Sequence, residues 1–215
     1  MRLVVLGTSG RCGQWLVRLA AEHGHEVTAL VRAETPFAPP SAVRVARGQV
    51  TDPAVVDDIL SGQDAVVSAL GLRRAGLSPW SSLQSPPDLT SRVASLLVAA
   101  MPRHGSRRLL AISAGGVGDS VHQLTWPVKG LVRAGNIGVA YRDLAEMEST
   151  FANSSLDWCV VRPVTLVNGP PRKPARRVER YGLTSRIRRS EVAAWMLAAV
   201  ERPAPFADRQ VLLGH

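Results

Sequence analysis

Residues 1–32 carry the densest chemical signal in the chain. An apolar run, Leu3-Val4-Val5-Leu6, is followed at once by Gly7-Thr8-Ser9-Gly10-Arg11-Cys12-Gly13. Gly7, Gly10 and Gly13 have the spacing GxxGxxG. Small residues at that spacing let backbone N–H groups approach a pyrophosphate at a helix N-terminus, and the third glycine lets the helix pack closely on its strand. The competing reading is a glycine-rich turn that binds nothing. Downstream, Glu26 to Val31 reads as a second strand ending in Arg32. Dinucleotide sites that prefer NAD place an acid there, to bond the ribose 2′-OH, whereas an arginine suits a 2′-phosphate. NADP is therefore the expected cofactor, with NADPH preferred over NADH. Arg11 either adds a second charge to that phosphate or is a solvated loop cation.

The elements that must position these residues follow from periodicity. The helix expected over Gln14 to His23 has Leu16, Leu19 and Ala20 on one side, and Gly24 stops it. Val43 to Ala46 reads as a strand. Asp52 and Pro53 read as the N-cap and first residue of a helix running to about Leu60. Ala65 to Leu70 is an almost wholly apolar strand, as suits a parallel sheet buried on both faces. Helices are expected over Asp88 to Met101, Tyr141 to Ala152, and Glu191 to Glu201 with Ser190 as its cap. Strands are expected over Arg107 to Ile112, Leu156 to Arg162 and Gln210 to Leu213. The alternation implies an α/β fold with a right-handed, doubly wound parallel sheet.

Ligands in such sheets bind beyond the C-terminal ends of the strands. Two long segments, about 71–87 and 119–139, are expected there as irregular loops. The first holds Arg73, Arg74 and Trp80; the second holds Trp126, Lys129 and Arg133. Arg73, Arg74, Trp80 and Trp126 would suit a planar, anionic, aromatic substrate, or the two tryptophans merely anchor their loops. Trp158 and Trp195 are expected in the core.

The 215 residues fit one domain, residues 1–215, with a small C-terminal substrate-side segment near 167–189. Hydrophobic content of 46% and charged content of 20% are ordinary for a globular protein. The formal net charge is +9, concentrated between Arg172 and Arg189, where eight Lys or Arg face one acid, Glu179. Without aromatic interleaving or a recognisable nucleic-acid motif, the charge disfavours nucleic acid as a partner. No charged-then-apolar leader opens the chain and no apolar run approaches the roughly 20 residues of a membrane span, so a cytoplasmic location without membrane contact is expected. Cys12 and Cys159 form neither a disulfide pattern nor a metal pattern, and no metal is expected. A monomer or a homodimer is compatible with all of this.

The whole chain resembles the atypical short-chain dehydrogenases with an NAD(P)H-binding, NmrA-like Rossmann domain, and within them the biliverdin IX-beta reductase / flavin reductase group. The resemblance rests on VVLGTSGRCG with Leu30-Val31-Arg32, on Gly48-Gln49-Val50-Thr51-Asp52, and on Val66 to Gly71 with Arg73 and Leu77-Ser78-Pro79. It rests also on Leu109 to Ser113, on Ser155 to Pro163, and on Ser185 to Ala193, with Glu191 where the family usually has Asp. It implies that Gly7 to Gly13 hold the pyrophosphate and Arg32 the 2′-phosphate. Gln49 and Val50 would flank the adenine. Ala69, Leu70 and Gly71 would pass near the ribose and nicotinamide, and Pro163, Val164 and Thr165 would close over the ring. Ser113 would stand where such enzymes place a polar catalytic residue, and Tyr141 where they place the catalytic tyrosine.

One departure bears on mechanism. The family's Tyr-x-x-x-Lys becomes Tyr141-Arg142-Asp143-Leu144-Ala145, so no lysine lowers the tyrosine pKa. Acceptors that take hydride directly, such as a flavin, a quinone or a conjugated tetrapyrrole, are then expected. The rival readings are a non-catalytic NADPH-binding sensor and a tailoring ketone, enone or quinone reductase.

Overall fold

Short apolar runs separated by amphipathic helices can bury both faces of every strand only by stacking in parallel between two helical layers. The computed structural model shows that arrangement and describes every residue except Leu77, Pro79 and Gly135, together with the side chains of Leu131, Arg133 and Ala134. Leu77 and Pro79 of the family resemblance, and the Arg133 side chain, therefore lie outside the described residues.

Six of the strands are β1 (Arg2–Leu6), β2 (Glu26–Val31), β3 (Val43–Arg47), β4 (Ala65–Ser68), β5 (Arg108–Ile112) and β6 (Asp157–Pro163). Three short strands follow, β7 (Thr165–Val167), β8 (Arg176–Arg177) and β9 (Arg186–Arg188), and then β10 (Gln210–Gly214). The main sheet has the order β3-β2-β1-β4-β5-β6-β10-β8. All of its pairs are parallel except β10 with β8. The chain reverses direction across the sheet between β1 and β4, the point at which doubly wound sheets open a crevice. β7 and β9 form a separate parallel pair.

The helices are α1 (Arg11–Glu22), α2 (Pro53–Leu60), α3 (Leu89–Ala100), α4 (Trp126–Ala134), α5 (Ile137–Ala152) and α6 (Arg189–Val200). Alternation along β1 divides the core. Leu3 and Val5 pack with Leu16 of α1 and Met196 of α6, while Val4 and Leu6 pack with Val56 of α2, Leu97 of α3 and Phe151 of α5. No helix among the described residues is long and apolar enough to cross a membrane.

Several boundaries differ from the sequence reading. Segment 119–139 is largely helical: a 3₁₀ turn spans Gly118–Gln123, α4 follows, and α5 begins at Ile137. Pro127 lies in the first turn of α4, where a missing N–H costs nothing, and Val128 is buried. α1 begins at Arg11, inside the glycine loop, and β4 ends at Ser68. Ser190 does not cap α6: its Oγ donates to the Gly169 carbonyl (2.8 Å), and Glu191 instead accepts from the Arg188 N–H (2.9 Å) at the N-cap. Asp52 does cap α2, accepting from the Ala54 N–H at 2.9 Å.

Candidate active site

Gly7, immediately after β1, has φ +74°, and a Cβ there would stand 2.6 Å from the Ala69 carbonyl oxygen. The loop after β1 thus lies directly against the loop after β4, at the crossover of the sheet. A Cβ on Gly13 would stand 2.1 Å from the Gly7 carbonyl oxygen, so α1 can approach the loop only with glycine there. The Gln14 N–H reaches back to the Gly10 carbonyl (2.9 Å), which leaves the N–H groups of Arg11, Cys12 and Gly13 at the open end of α1. No acid occupies the first turn. The end of α1 is an unneutralised cluster of N–H donors suited to a pyrophosphate.

Within this loop the side chains divide. Thr8 is fully buried, and its hydroxyl donates to the Leu30 carbonyl (2.7 Å), tying the loop to β2. Cys12 is buried against α6, its thiol donating to the Arg189 carbonyl (3.5 Å). Burial pushes that thiol up to about 12, against the opposing pull of the Arg189 charge. Thr8 and Cys12 therefore face the fold, leaving their backbones for a ligand. Ser9 and Arg11 are exposed.

Arg32 is exposed just beyond β2, and Gln49 is exposed just beyond the neighbouring β3. The Gly48 N–H donates to the Val31 carbonyl (2.9 Å), holding these two strand ends together. Arg47 donates to the carbonyls of Ala33 (2.9 Å) and Thr35 (3.3 Å) and braces the loop after Arg32. Val50, Ala69 and Leu70 are half-buried, and Gly71 is exposed.

Ser113, at the end of β5, is buried and donates to Glu148 Oε1 of α5 at 2.5 Å. The same carboxylate meets the guanidinium of Arg162 on β6, through Arg162 Nε at 3.1 Å and through a second, shorter contact from Nη2. Arg162 Nη2 also pairs with Asp119 at 2.7 Å. Burial pulls the Arg162 pKa down, and the two carboxylates more than offset it. The Ser113 hydroxyl is thus engaged from inside the fold. This network was absent from the sequence reading, although a lone arginine in an apolar strand signals a buried acidic partner.

Tyr141 lies in the second turn of α5, half-buried, and its hydroxyl donates to the Gly115 carbonyl (2.9 Å). Burial, reinforced by the neighbouring Tyr181, pushes its phenol well above the ordinary value despite the nearby Arg74 charge. The structure thus brings Ser113, Gly115 and Tyr141 to the loop after β5. Pro163 and Val164 are buried, with the Pro163 carbonyl accepting from the Gly115 N–H (3.1 Å), and Thr165 is exposed.

The two outer segments are joined. Asn136 Nδ2 donates to the carbonyls of Trp80 (3.0 Å) and Ser81 (3.2 Å), linking segment 71–87 to the junction before α5. Arg73 is exposed; Arg74 is half-buried and donates to the Ser78 carbonyl (3.0 Å). Trp80 and Trp126 are 62% and 84% exposed, so neither is buried as an anchor of its loop. The basic segment is tethered rather than loose. Glu191 accepts from the N–H groups of Arg172 (3.0 Å), Lys173 (3.3 Å) and Arg188 (2.9 Å), and from His215 Nε2 (2.7 Å).

Comparisons with known proteins show the family and the fold. A family model described as NAD(P)H-binding matches residues 7–203. A curated relative, 2-alkyl-3-oxoalkanoate reductase of Stenotrophomonas maltophilia (strain K279a), is 33% identical over 131 residues, covering 61% of this chain and 38% of that protein. The match therefore spans well under half of the relative's length. Among solved structures, ChuY, an anaerobilin reductase of Escherichia coli O157:H7, superposes with a TM-score of 0.75 at 22% identity, over 99% of this chain and 96% of that one. A short-chain dehydrogenase/reductase of Veillonella parvula DSM 2008 in complex with NADP superposes with a TM-score of 0.78 at 15% identity, over 100% of this chain and 94% of that one. At such identities the likeness is one of fold.

Proposed function

The chain belongs to the NAD(P)H-binding family, and from that premise we propose that it is an NADPH-dependent oxidoreductase passing hydride to a conjugated acceptor such as a flavin, a quinone or a tetrapyrrole. NADPH supplies the hydride, from its nicotinamide ring. The backbone of Gly7 to Gly13 holds the pyrophosphate at the end of α1, and Arg32 holds the 2′-phosphate. Gln49 and Val50 flank the adenine. Ala69, Leu70 and Gly71 line the path to the nicotinamide, beside Pro163, Val164 and Thr165. Arg73, Arg74, Trp80 and Trp126 receive the acceptor plane.

The observation that carries this reading is the state of Tyr141. Its hydroxyl is committed to the Gly115 carbonyl, its pKa is pushed up, and the lysine that would lower it is replaced by Ala145. Such a phenol is a poor general acid near neutral pH. An acceptor whose reduced form spreads its charge over a conjugated system needs little help from a fixed acid, and the proton comes from solvent, since the Ser113 hydroxyl is bonded inward to Glu148.

A second reading, reduction of a 3-oxoalkanoate-type ketone as the name of the curated relative indicates, requires Tyr141 to act as the acid. The test is NADPH oxidation, with NADH as control, across FMN, a naphthoquinone, mixed biliverdin isomers and a 2-alkyl-3-oxoalkanoate. Saturable turnover on a conjugated acceptor supports the proposal; turnover on the ketone alone replaces it with the second reading. Tight NADPH binding with no turnover on any of them points to a sensor.

A further inference from the structure

Three chain segments converge beside the start of β2, at the end of the strands opposite the glycine loop. His23 directly follows α1, His25 directly precedes β2, and Glu201 directly follows α6. Gly24 between the two histidines has φ +77°, which allows the tight turn. Backbone bonds hold all three positions: His23 N–H to the Leu19 carbonyl (3.0 Å), His25 N–H to the Ala20 carbonyl (3.0 Å), and Glu201 N–H to the Leu197 carbonyl (3.0 Å).

The side chains meet on one atom. Glu201 Oε1 lies 2.7 Å from His23 Nδ1 and 2.8 Å from His25 Nε2. One ligand atom from each of the three residues falls within 4.8 Å of the others. The His25 side chain is 11% exposed, and those of Glu201 and His23 are 27% and 50% exposed. The site is therefore walled on the His25 side and open to solvent on the His23 side.

Two imidazole nitrogens and one carboxylate oxygen, with an open fourth position, form a donor set suited to zinc(II). We propose that His23, His25 and Glu201 bind one zinc ion, with water completing its shell, and that this ion clamps the C-terminal ends of α1 and α6 together. Zinc bonds of about 2.0–2.1 Å at tetrahedral angles set ligand atoms roughly 3.3 Å apart, so the exposed His23 ring swings outward slightly to admit the ion. Each imidazole keeps its proton on the ring nitrogen away from Glu201, freeing the other lone pair for the metal. For His25 that nitrogen is Nδ1, 3.3 Å from the Met1 amine, which gives up its contact. α1 and α6 pack along the same face of the sheet, and the far end of α1 carries the glycine loop. The ion would stabilise that layer without touching the nucleotide.

The test is zinc(II) uptake by the tag-free full chain, measured by equilibrium dialysis with metal analysis, with thermal unfolding in parallel. The expected result is one zinc per chain and a midpoint that rises with zinc concentration. His23→Ala and Glu201→Gln should each weaken uptake by about tenfold or more. His122→Ala, at an exposed histidine bonded to the Asp119 carbonyl, should bind zinc like the parent. Circular dichroism checks that each variant is folded. Absence of uptake at roughly 100 μM zinc overturns the proposal, as does equal uptake by the parent, His23→Ala and Glu201→Gln.

Discussion

Gly13 lies so close to Gly7 that a Cβ added to it would sit 2.1 Å from the Gly7 carbonyl oxygen. No side-chain rotation relieves that contact, because both partners are backbone. Gly13→Ala must therefore push α1 away from β1, at a cost of about 1–3 kcal/mol as for other overpacked sites. On the proposed reading, the shift also displaces the N–H cluster from the pyrophosphate. Thermal unfolding with NADPH fluorescence titration should show a lower midpoint and weaker binding together.

Arg32 stands exposed at the end of β2, beside the strand end that carries Gln49. A guanidinium on a 2′-phosphate makes charge-assisted bonds worth about 1.5–3 kcal/mol. Arg32→Ala should weaken NADPH binding by roughly ten- to a hundredfold at that energy and leave NADH binding almost unchanged. Isothermal titration with both cofactors checks it, and unchanged NADPH affinity would sink the assignment.

Tyr141→Phe separates the two readings of the reaction. Loss of a working general acid lowers kcat by about 10²–10⁴. With the Tyr141 hydroxyl donating to the Gly115 carbonyl and its pKa raised, the expected change on a conjugated acceptor is under about threefold, with some 1 kcal/mol lost from stability. A hundredfold drop, with a limb of the pH–rate profile removed, would make Tyr141 the proton donor.

Glu191 predicts acid sensitivity. Burial pushes its carboxyl up, but the N–H groups of Arg188, Arg172 and Lys173, together with His215, outweigh burial and hold it at about 2. Its ordinary value is 4.5. Because the folded pKa is depressed, the stabilisation is fully present above pH 4.5 and is lost as pH falls from there toward 2. The difference corresponds to about 3 kcal/mol. Urea unfolding at pH 7, 4 and 3 should show this loss in the parent chain, and Glu191→Gln should be weaker at pH 7 and flatter across the range.

Much of the backbone around the glycine loop was legible in the chain. β1, the glycine spacing, β2 and Arg32 are consecutive, and the steric demand for glycine at position 13 arises a few residues away, at the Gly7 carbonyl, whereas that at Gly7 comes from the distant Ala69 carbonyl. The Asp52-Pro53 start of α2 was likewise readable, since a cap bonds within its own turn. α4 was not: its nine residues hold a proline, a glycine and two cations, so local propensity was weak.

What the sequence alone determined is whatever short-range sterics and the two- and 3.6-residue periodicities decide: the parallel α/β layering, the glycine-rich turn before α1, and a cation after the second strand. Tertiary structure decided which polar side chains meet. It turned Thr8 and Cys12 toward the fold and brought Ser113, Glu148, Arg162 and Asp119 together from four separate segments. It hung the basic segment on Glu191 and placed Glu201 against two histidines some 180 positions earlier. The reason is physical: a buried charge must find a partner, and which partner is nearest depends on how strands and helices pack, a relation that no local pattern records.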